Sequence, residues 1–144
     1  VLRDYSHTPD SLKNALETLK PLTKGKLVAL FGCGGDRDKL KRPIMGEIAS
    51  RYADFCLVTS DNPRTEDPYD IINAILPGVQ KHKTPYAVIE DRVSAIHWAI
   101  DNAHAGDVIL LAGKGHEDYQ IIGTVKHRMD EYEIVSDYMA SISG

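Results

Sequence analysis

Short apolar runs alternate with amphipathic stretches along this chain. The runs cover residues 27–31, 55–59, 86–89 and 108–112, and residues 1–4 have the same character. Strand-like runs that alternate with helical patterns are typical of βαβ units. The pattern therefore predicts an α/β fold, with a Rossmann-like, mostly parallel sheet flanked by helices.

The amphipathic stretches carry readable start signals. Helices are expected to begin at Thr8-Pro9, Pro43, Asp67-Pro68 and close to Val93, the fourth ending near Ala105-Gly106, and a last helix is expected over about residues 130–139. Thr before Pro is a good N-cap followed by the residue that best tolerates the first helical position. The second helix is expected to turn Ile44, Ile48 and Tyr52 inward, and Asp70 to help cap the third.

Residues 120–122 and 124–128 flank Gly123 and predict a β-hairpin. A hairpin would give the otherwise parallel sheet one antiparallel edge. No repeat, low-complexity run or linker interrupts the chain, so residues 1–144 are expected to form a single domain.

Composition narrows the class of protein. The chain has 17 basic and 21 acidic side chains, hence 17 − 21 = −4, and this acidic balance argues against nucleic acid as a partner. No apolar run approaches the ~20 residues of a membrane span. Cys33 and Cys56 follow no disulfide or metal spacing, which favours reduced thiols and a cytoplasmic location.

The chain opens Val-Leu-Arg-Asp-Tyr, without an initiator Met or a signal-like segment. We expect it to be a piece of a longer polypeptide, whose function requires parts that lie elsewhere.

Ligand sites of open α/β sheets lie beyond the carboxyl ends of the strands. The segment after the first run, Asp4-Tyr5-Ser6-His7-Thr8-Pro9-Asp10, joins an acid, an imidazole and a capped helix start. These groups could serve a nucleotide's ribose, ring and phosphates. Ordinary helix-start chemistry is the alternative.

The second segment is Gly32-Cys33-Gly34-Gly35-Asp36-Arg37-Asp38. Its glycines would let backbone N–H groups approach an anion. The dinucleotide fingerprint fails because Arg37 stands where its third glycine belongs, and the chain has no P-loop pattern. The loop is therefore expected to aim Arg37 at a ligand, or to pair it with Asp36 or Asp38.

The third segment is Asp61-Asn62-Pro63-Arg64. Proline restricts the residue before it, which would hold the Asn62 amide and Arg64 in one orientation. An amide beside a guanidinium suits a carboxylate. A turn with a surface arginine is the alternative.

The fourth segment is Gly113-Lys114-Gly115-His116-Glu117-Asp118. Glu117 could accept an ammonium, whereas Lys114 and His116 could serve a phosphate or simply lie on a solvated loop. The residues alone thus predict a polar site for a small, multiply charged ligand.

The sequence contains no arrangement of residues typical of a self-contained catalyst or of zinc ligands, so we assign no catalytic or metal-binding residue. Cys33 is the one nucleophile to consider, and a buried, inert thiol is the expectation.

In this order, the segments resemble the carboxy-terminal domain of the Mur ligases over essentially the whole chain. Residues 4–10 resemble the family's Asp-Tyr-Ala-His-Thr-Pro-Asp segment, with Ser6 in place of Ala. Residues 31–38, Lys41-Arg42-Pro43 and residues 113–119 resemble its remaining blocks. Asp61-Asn62-Pro63-Arg64 is similar to the motif of the family branch that uses meso-diaminopimelate.

The resemblance implies an ATP-dependent amide ligation in peptidoglycan synthesis. ATP would phosphorylate UDP-N-acetylmuramoyl-L-alanyl-D-glutamate, and meso-diaminopimelate would attack the acyl phosphate. It also implies that this chain is the carboxy-terminal domain of a three-domain enzyme. ATP, Mg²⁺ and the UDP-sugar would then bind mainly on the amino-terminal and central domains.

The resemblance also implies roles for individual residues. Arg64 and Asn62 would take one carboxylate of meso-diaminopimelate, Glu117 its ammonium, and Gly113 a carbonyl contact, while Arg37 would hold the second carboxylate. Asp61 and Pro63 complete the substrate set, and Asp4, Tyr5 and His7 would face ATP.

Two departures from the family pattern stand out: Asp130-Glu131-Tyr132-Glu133 lacks the expected Arg, and Arg3 replaces an apolar residue.

Three interpretations of the function remain open. The first is the diaminopimelate ligase domain. The second is a related ligase domain of the lysine-adding, cyanophycin or folylpolyglutamate type. The third is a nucleotide-binding module without catalytic function.

Overall fold

The computed structural model describes residues 1–114 and 117–143. Strands β1 to β7 span Leu2–Asp4, Leu27–Phe31, Phe55–Val58, Tyr86–Val88, Val108–Ala112, Tyr119–Ile122 and Val125–Arg128. Helices α1 to α5 span Pro9–Leu19, Lys41–Tyr52, Pro68–Val79, Arg92–Asp101 and Glu131–Ser143, and a 3₁₀ turn, Lys20–Leu22, follows α1. Every predicted strand and helix is present.

Strands β1 to β5 form one sheet in the order β1-β5-β2-β3-β4. All four strand pairs are parallel; Leu2 lies opposite Leu110, for example, and Ala29 opposite Cys56. Parallel strands need crossover connections, and the helices between the strands provide them. The predicted α/β fold is confirmed.

The helices cover both faces of the sheet. Leu12, Leu16, Met45, Ile72 and Ile75 of α1 to α3 pack on one face, and α4 and α5 pack on the other. Both faces are therefore buried, which explains why β2 and β5 are continuous apolar runs rather than alternating patterns. All carboxyl ends of the parallel strands open at one edge, where the four polar segments lie.

The hairpin of β6 and β7 forms as predicted, but as a separate two-stranded sheet rather than as an edge of the main sheet. The reason lies in the position of β5, which is flanked by β1 and β2 and offers no free side to a following strand. The hairpin instead joins the loop after β3 through a parallel bridge between Arg64 and Ile122.

Several local predictions are corrected by the packing. Helix α2 begins at Lys41 rather than Pro43, and Ile44 is 49% exposed because Met45 and Ala49 face the core with Ile48. The cap of α3 is Asp67, whose side chain accepts from the N–H of Tyr69.

Asp70 does not cap α3. It lies exposed in the first turn of that helix, where its negative charge interacts favourably with the helix dipole.

The ends of the last two helices also differ from the expectation. Helix α4 ends at Asp101, earlier than expected, and α5 begins one residue later and continues to Ser143.

Candidate functional site

Loops after four neighbouring strands enclose a cavity of about 380 Å³ at the carboxyl edge of the sheet. This volume lies in the range of small-molecule sites. Its lining residues are Tyr5, His7, Thr8, Gly32, Cys33, Gly34, Arg37, Asp38, Lys41, Asp61, Asn62, Arg64, Gly113 and Glu117. The four segments singled out in the sequence therefore meet in one cavity.

Most of the predicted substrate residues line this cavity. The set comprises Arg37, Asp61, Asn62, Arg64, Gly113 and Glu117. Pro63 is buried and stands behind the wall, in contact with the glycine loop. Tyr5 and His7 also line the cavity, whereas Asp4 does not; its carboxylate accepts the hydroxyl hydrogen bond of Ser6.

The loop after β3 carries Arg64 in a strained backbone conformation. Its φ of +53° lies in the left-handed region, which side-chain-bearing residues rarely adopt. The hairpin holds it there, since the N–H of Arg64 donates to the Ile121 carbonyl at 3.1 Å and the N–H of Gly123 donates to the Arg64 carbonyl at 2.6 Å. The hairpin thus fixes the backbone from which the Arg64 side chain reaches the cavity.

The Arg64 guanidinium is partly buried and has no carboxylate partner within salt-bridge distance among the described residues. Its Nη1 donates to the Gly35 carbonyl at 3.0 Å. A guanidinium has five N–H donors, so most of its capacity remains for a ligand. The site therefore offers a fork suited to a carboxylate.

The glycine loop packs tightly against the loop after β3. A Cβ on Gly35 would lie 1.8 Å from the Pro63 carbonyl oxygen, and one on Gly34 would lie 2.9 Å from Arg64 Nη1. The N–H of Gly35 donates to the Asn62 carbonyl at 2.7 Å. Gly35 is therefore required for close packing against the Pro63 backbone, whereas a side chain at Gly34 would displace only the end of the Arg64 side chain. The sequence analysis expected these glycines to approach an anion and did not predict this packing.

Arg37 makes neither of the ion pairs offered as its alternative. Its Nη1 donates to the Asp36 backbone carbonyl at 3.0 Å, and its side chain lines the cavity. The Asp36 carboxylate instead accepts from the Thr65 hydroxyl at 2.7 Å, which holds the pKa of Asp36 below its usual range. Among the described residues other than glycine, Asp36 is the second with positive φ, at +53°.

Lys114, in the loop after β5, is fully buried, so the expectation of a solvated position was wrong for it. Its Nζ lies 2.9 Å from Asn62 Oδ1 and 2.9 Å from Asp61 Oδ1. The contact with Asp61 is an ion pair without the angles of a hydrogen bond. Gly115 and His116 of the same motif lie outside the described residues.

Glu117 lies at the cavity with a partly buried side chain. Its Oε2 accepts a hydrogen bond from the Tyr119 hydroxyl at 3.0 Å. This hydrogen bond and the carboxylate charge raise the pKa of Tyr119. The Glu117 carboxylate is therefore oriented by β6 and keeps acceptor capacity for an ammonium.

The loop after β1 forms the far side of the cavity. Thr8 caps α1 through a capping box with Ser11, as predicted for the helix start. The rings of Tyr5 and His7 meet edge to face with centroids 4.4 Å apart, and Lys41 Nζ donates to the His7 carbonyl at 2.9 Å. This side combines aromatic surface with a cation, which suits a nucleotide.

A buried ion pair that the sequence analysis did not predict supports the loops that follow β3 and β5. Arg92 and Glu131 are both fully buried, with Arg92 Nε 2.7 Å from Glu131 Oε2. Arg92 also donates to the carbonyls of Ser60 at 3.1 Å and Ala112 at 3.0 Å. Arg92 directly follows Asp91, the N-cap of α4, and this local pattern does not indicate a pairing with the distant Glu131. Glu131 thereby has a structural role in the segment that departs from the family pattern.

Cys33 lines the cavity but is only 3% exposed. Burial raises its pKa to about 12, so the thiol stays protonated near neutral pH. The expectation of an inert thiol is consistent with this environment. Among the described residues, no group of three or more His, Cys, Asp or Glu side chains is arranged to hold a metal ion.

The parallel sheet and the cavity at its carboxyl edge define the class: an α/β domain with a polar cavity beyond the carboxyl ends of its strands. Residues 1–115 match the family described as Mur ligase, glutamate ligase domain. That match covers most of the chain, and the chain belongs to this family.

Two curated relatives are UDP-N-acetylmuramoyl-L-alanyl-D-glutamate–2,6-diaminopimelate ligases. The protein of Caldanaerobacter subterraneus is 56% identical over 97% of this chain, and that of Clostridioides difficile is 51% identical over 99%. This chain covers 29% of the length of each.

A solved structure of a ligase of the same name superposes with a TM-score of 0.94 at 43% identity, over 99% of this chain and 29% of that one. A bifunctional folylpolyglutamate synthase/dihydrofolate synthase from Yersinia pestis, solved with AMPPNP and a manganese ion, gives a TM-score of 0.56 at 17% identity. It covers 98% of this chain and 28% of that one, and this second likeness concerns the fold alone.

The fold and resemblance expected from the sequence are thus confirmed. Within the described residues, no helix combines the length and the hydropathy that crossing a bilayer requires.

Proposed function

We propose that this chain is the carboxy-terminal, amino-acid-binding domain of a three-domain ligase. The full-length enzyme would add meso-diaminopimelate to UDP-N-acetylmuramoyl-L-alanyl-D-glutamate with consumption of ATP. The observation that carries the proposal is the partly buried Arg64 guanidinium, which lies in a cavity with Asn62 and Glu117 and has no carboxylate partner among the described residues. The names of the 51–56% identical relatives support the same substrate.

The charges of the site match those of this amino acid. Meso-diaminopimelate has two carboxylates and two amines, and one amine must stay free to react. Arg64 and Asn62 would hold the carboxylate at one end, Glu117 the ammonium of that end, and Gly113 would make a backbone contact. Arg37 would hold the second carboxylate. Asp61 and Pro63 would shape the wall behind Asn62.

Lysine would fit this site poorly. Lysine has a carboxylate at only one end, which Arg37 would hold, and its other end carries an ammonium alone. Arg64 would therefore remain desolvated without a partner. A site built to bind a polar group rejects an analogue that lacks the group more strongly than it rejects a change of shape. This contrast separates the proposal from the reading as a lysine-adding ligase.

The reaction divides between this chain and the rest of the enzyme. The γ-phosphate of ATP would pass to the D-glutamate γ-carboxylate, which yields ADP and an acyl phosphate. The free amine of diaminopimelate would then attack the acyl carbon and lose a proton, an amide bond would form, and phosphate would leave. This chain would position the amine, while Asp4, Tyr5 and His7 would face ATP from across the cleft.

The described residues provide no carboxylate cluster for Mg²⁺, so we derive no step through a metal ion in this domain. Mg²⁺ would accompany ATP on the remainder of the polypeptide, which the UDP-sugar would also occupy. We propose a cytoplasmic location, where both nucleotide substrates are available.

A titration with two amino acids tests the proposal. Meso-diaminopimelate, followed in ¹⁵N-HSQC spectra of this chain, should shift the amides of Arg37, Asn62, Arg64, Gly113 and Glu117. L-lysine at matched pH and salt should bind at least about tenfold more weakly, because one good charged contact is lost.

Equal shifts with both amino acids would contradict the assigned selectivity and favour a ligase with a broader substrate range. If neither shifts the spectrum, calorimetric titration of the full-length polypeptide with an unreactive ATP analogue decides the matter. Absence of diaminopimelate binding there would overturn the amino-acid site.

A further inference from the structure

Lys114 has no place in the proposed substrate contacts, yet it is 0% exposed and lies directly behind two residues of the cavity wall. Its Nζ is 2.9 Å from the side-chain oxygens of both Asn62 and Asp61. A buried ammonium is tolerated only where charge and hydrogen bonds compensate its lost hydration. The positions of these three side chains are therefore interdependent.

The contacts of Lys114 determine which way the Asn62 amide faces. Asn62 Oδ1 accepts from Lys114 Nζ and also from the Ile121 N–H, both at 2.9 Å. With two donors directed at this atom, the oxygen must stand here and the NH₂ group must point elsewhere. No described residue accepts a hydrogen bond from Asn62 Nδ2, and Asn62 lines the cavity. The amide thus presents donors to a ligand.

Lys114 also changes the electrostatics of the wall. Asp61 is 8% exposed and lines the cavity, where a free carboxylate would repel a ligand carboxylate. Its pairing with Lys114 cancels that charge at close range. Arg37, Lys41 and Arg64 then outnumber the remaining acids of the lining, Asp38 and Glu117.

We infer that Lys114 is a positioning residue for substrate selection: it directs the Asn62 NH₂ group, and neutralises Asp61, so that the site accepts the carboxylate that distinguishes diaminopimelate from lysine. This inference rests on the proposed function. Lys114 acts through Asn62 and Asp61 and does not itself touch the substrate.

The test measures substrate selectivity in the full-length ligase, with Lys114→Met as the variant and Lys83→Met, an exposed lysine outside the site, as the matched control. Lys114→Met should raise the KM for meso-diaminopimelate by about tenfold or more, which is the usual loss for one buried charged contact. It should lower the kcat/KM preference for diaminopimelate over lysine by a similar factor. The KM for ATP should stay within about twofold of the wild-type value. In Lys83→Met, the two KM values and the preference for diaminopimelate over lysine should all stay within about twofold of the wild-type values.

A purely structural role would lower the melting temperature and the amount of active enzyme but leave the preference for diaminopimelate over lysine unchanged, and that result would overturn the inference. If Lys114→Met does not fold, Lys114→Met combined with Asp61→Asn removes the orphaned charge. Its preference should then fall below that of Asp61→Asn alone, and equal preferences would overturn the inference. A wild-type enzyme that forms no diaminopimelate-dependent product would refute the proposed function instead.

Discussion

At the scale of single residues, Arg64 is the side chain that we expect to contribute most to substrate specificity in the proposed site. Its backbone lies at a φ of +53°, and two hydrogen bonds to the hairpin hold it there. Strain of this kind, on the order of 1–3 kcal/mol, persists only where the surroundings enforce it. As a result, the Arg64 backbone places the guanidinium at the cavity before a ligand binds.

Replacement of Arg64 by lysine should therefore fail to preserve function. Arg64→Lys keeps the charge but loses the planar fork that binds a carboxylate through two parallel hydrogen bonds. We expect the KM for diaminopimelate in the full-length enzyme to rise about 30-fold or more, which corresponds to a loss of at least about 2 kcal/mol. Steady-state kinetics with saturating ATP and UDP-dipeptide would measure it.

Arg51→Lys, on the exposed surface of α2, is the matched control and should leave every KM within about twofold. An equal rise in the KM values for ATP and diaminopimelate in Arg64→Lys would contradict the assigned carboxylate contact.

The thiols of the two cysteines should not react with alkylating reagents in the folded domain. Burial raises the pKa of both Cys33 and Cys56 to about 12, so the fraction of reactive thiolate at pH 8 is negligible. Iodoacetamide at pH 8 should modify neither within an hour in native buffer, whereas both should react in denaturant. Mass spectrometry distinguishes these results, and rapid native labelling of Cys33 would show that the cavity wall opens.

Sequence patterns located the site residues better than they described their partners. Strand ends place Arg37, Asn62, Arg64 and Glu117 at one edge of the sheet, and this grouping could be predicted. The burial of Lys114 could not, because a lysine between two glycines looks solvent-exposed until the partner loop that receives it is known. Long-range pairing leaves no trace in a local pattern.

At the scale of elements, the hairpin and the glycine loop brace the loop after β3 from opposite sides. Gln120 Nε2 donates to the Asp61 carbonyl at 2.8 Å, and the N–H of Gly35 donates to the Asn62 carbonyl at 2.7 Å. The hairpin itself was predictable from Gly123 and the flanking β-prone residues. Its attachment to residues 61–64 was not, because it depends on β5 lying inside the sheet.

The packing of α2 against α3 gives a prediction about stability. The two helices approach closely at Gly78, where a Cβ would lie 1.8 Å from the Pro43 carbonyl oxygen and 2.7 Å from the Glu47 backbone nitrogen. Both neighbours are backbone atoms and cannot turn aside. Gly78→Ala should therefore lower the free energy of unfolding by about 1–3 kcal/mol despite the better helix propensity of alanine.

Thermal unfolding of this chain followed by circular dichroism would measure the change, and about 2–4 °C per kcal/mol is expected for a domain near this size. Asn73→Ala, at an exposed position of the same helix, controls for propensity and should leave the midpoint unchanged or raise it. A Gly78→Ala midpoint equal to that of the wild type would show that α2 and α3 can separate without cost.

At the scale of the whole molecule, the strand order explains why the site lies where it does. From β2 the chain proceeds through β3 to β4 in one direction, whereas β1 and β5 lie on the other side of β2. Adjacent loops diverge at such a switch point and leave a crevice. The loops after β2, β3 and β5 enclose the proposed amino-acid site, and the loop after β1 bounds it.

The same architecture predicts that this chain alone forms no product. Its cavity offers groups for an amino acid, but the sequence has no P-loop, and the described residues include no cluster of metal ligands. Phosphoryl transfer relies on such groups for positioning and charge stabilisation. The isolated chain, incubated with ATP, Mg²⁺, UDP-dipeptide and diaminopimelate, should therefore release no ADP and no tripeptide product detectable by mass spectrometry. The full-length enzyme under the same conditions is the positive control. Product from the chain alone would mean that the catalytic groups lie within these 144 residues, and the proposed division of labour between the domains would have to be abandoned.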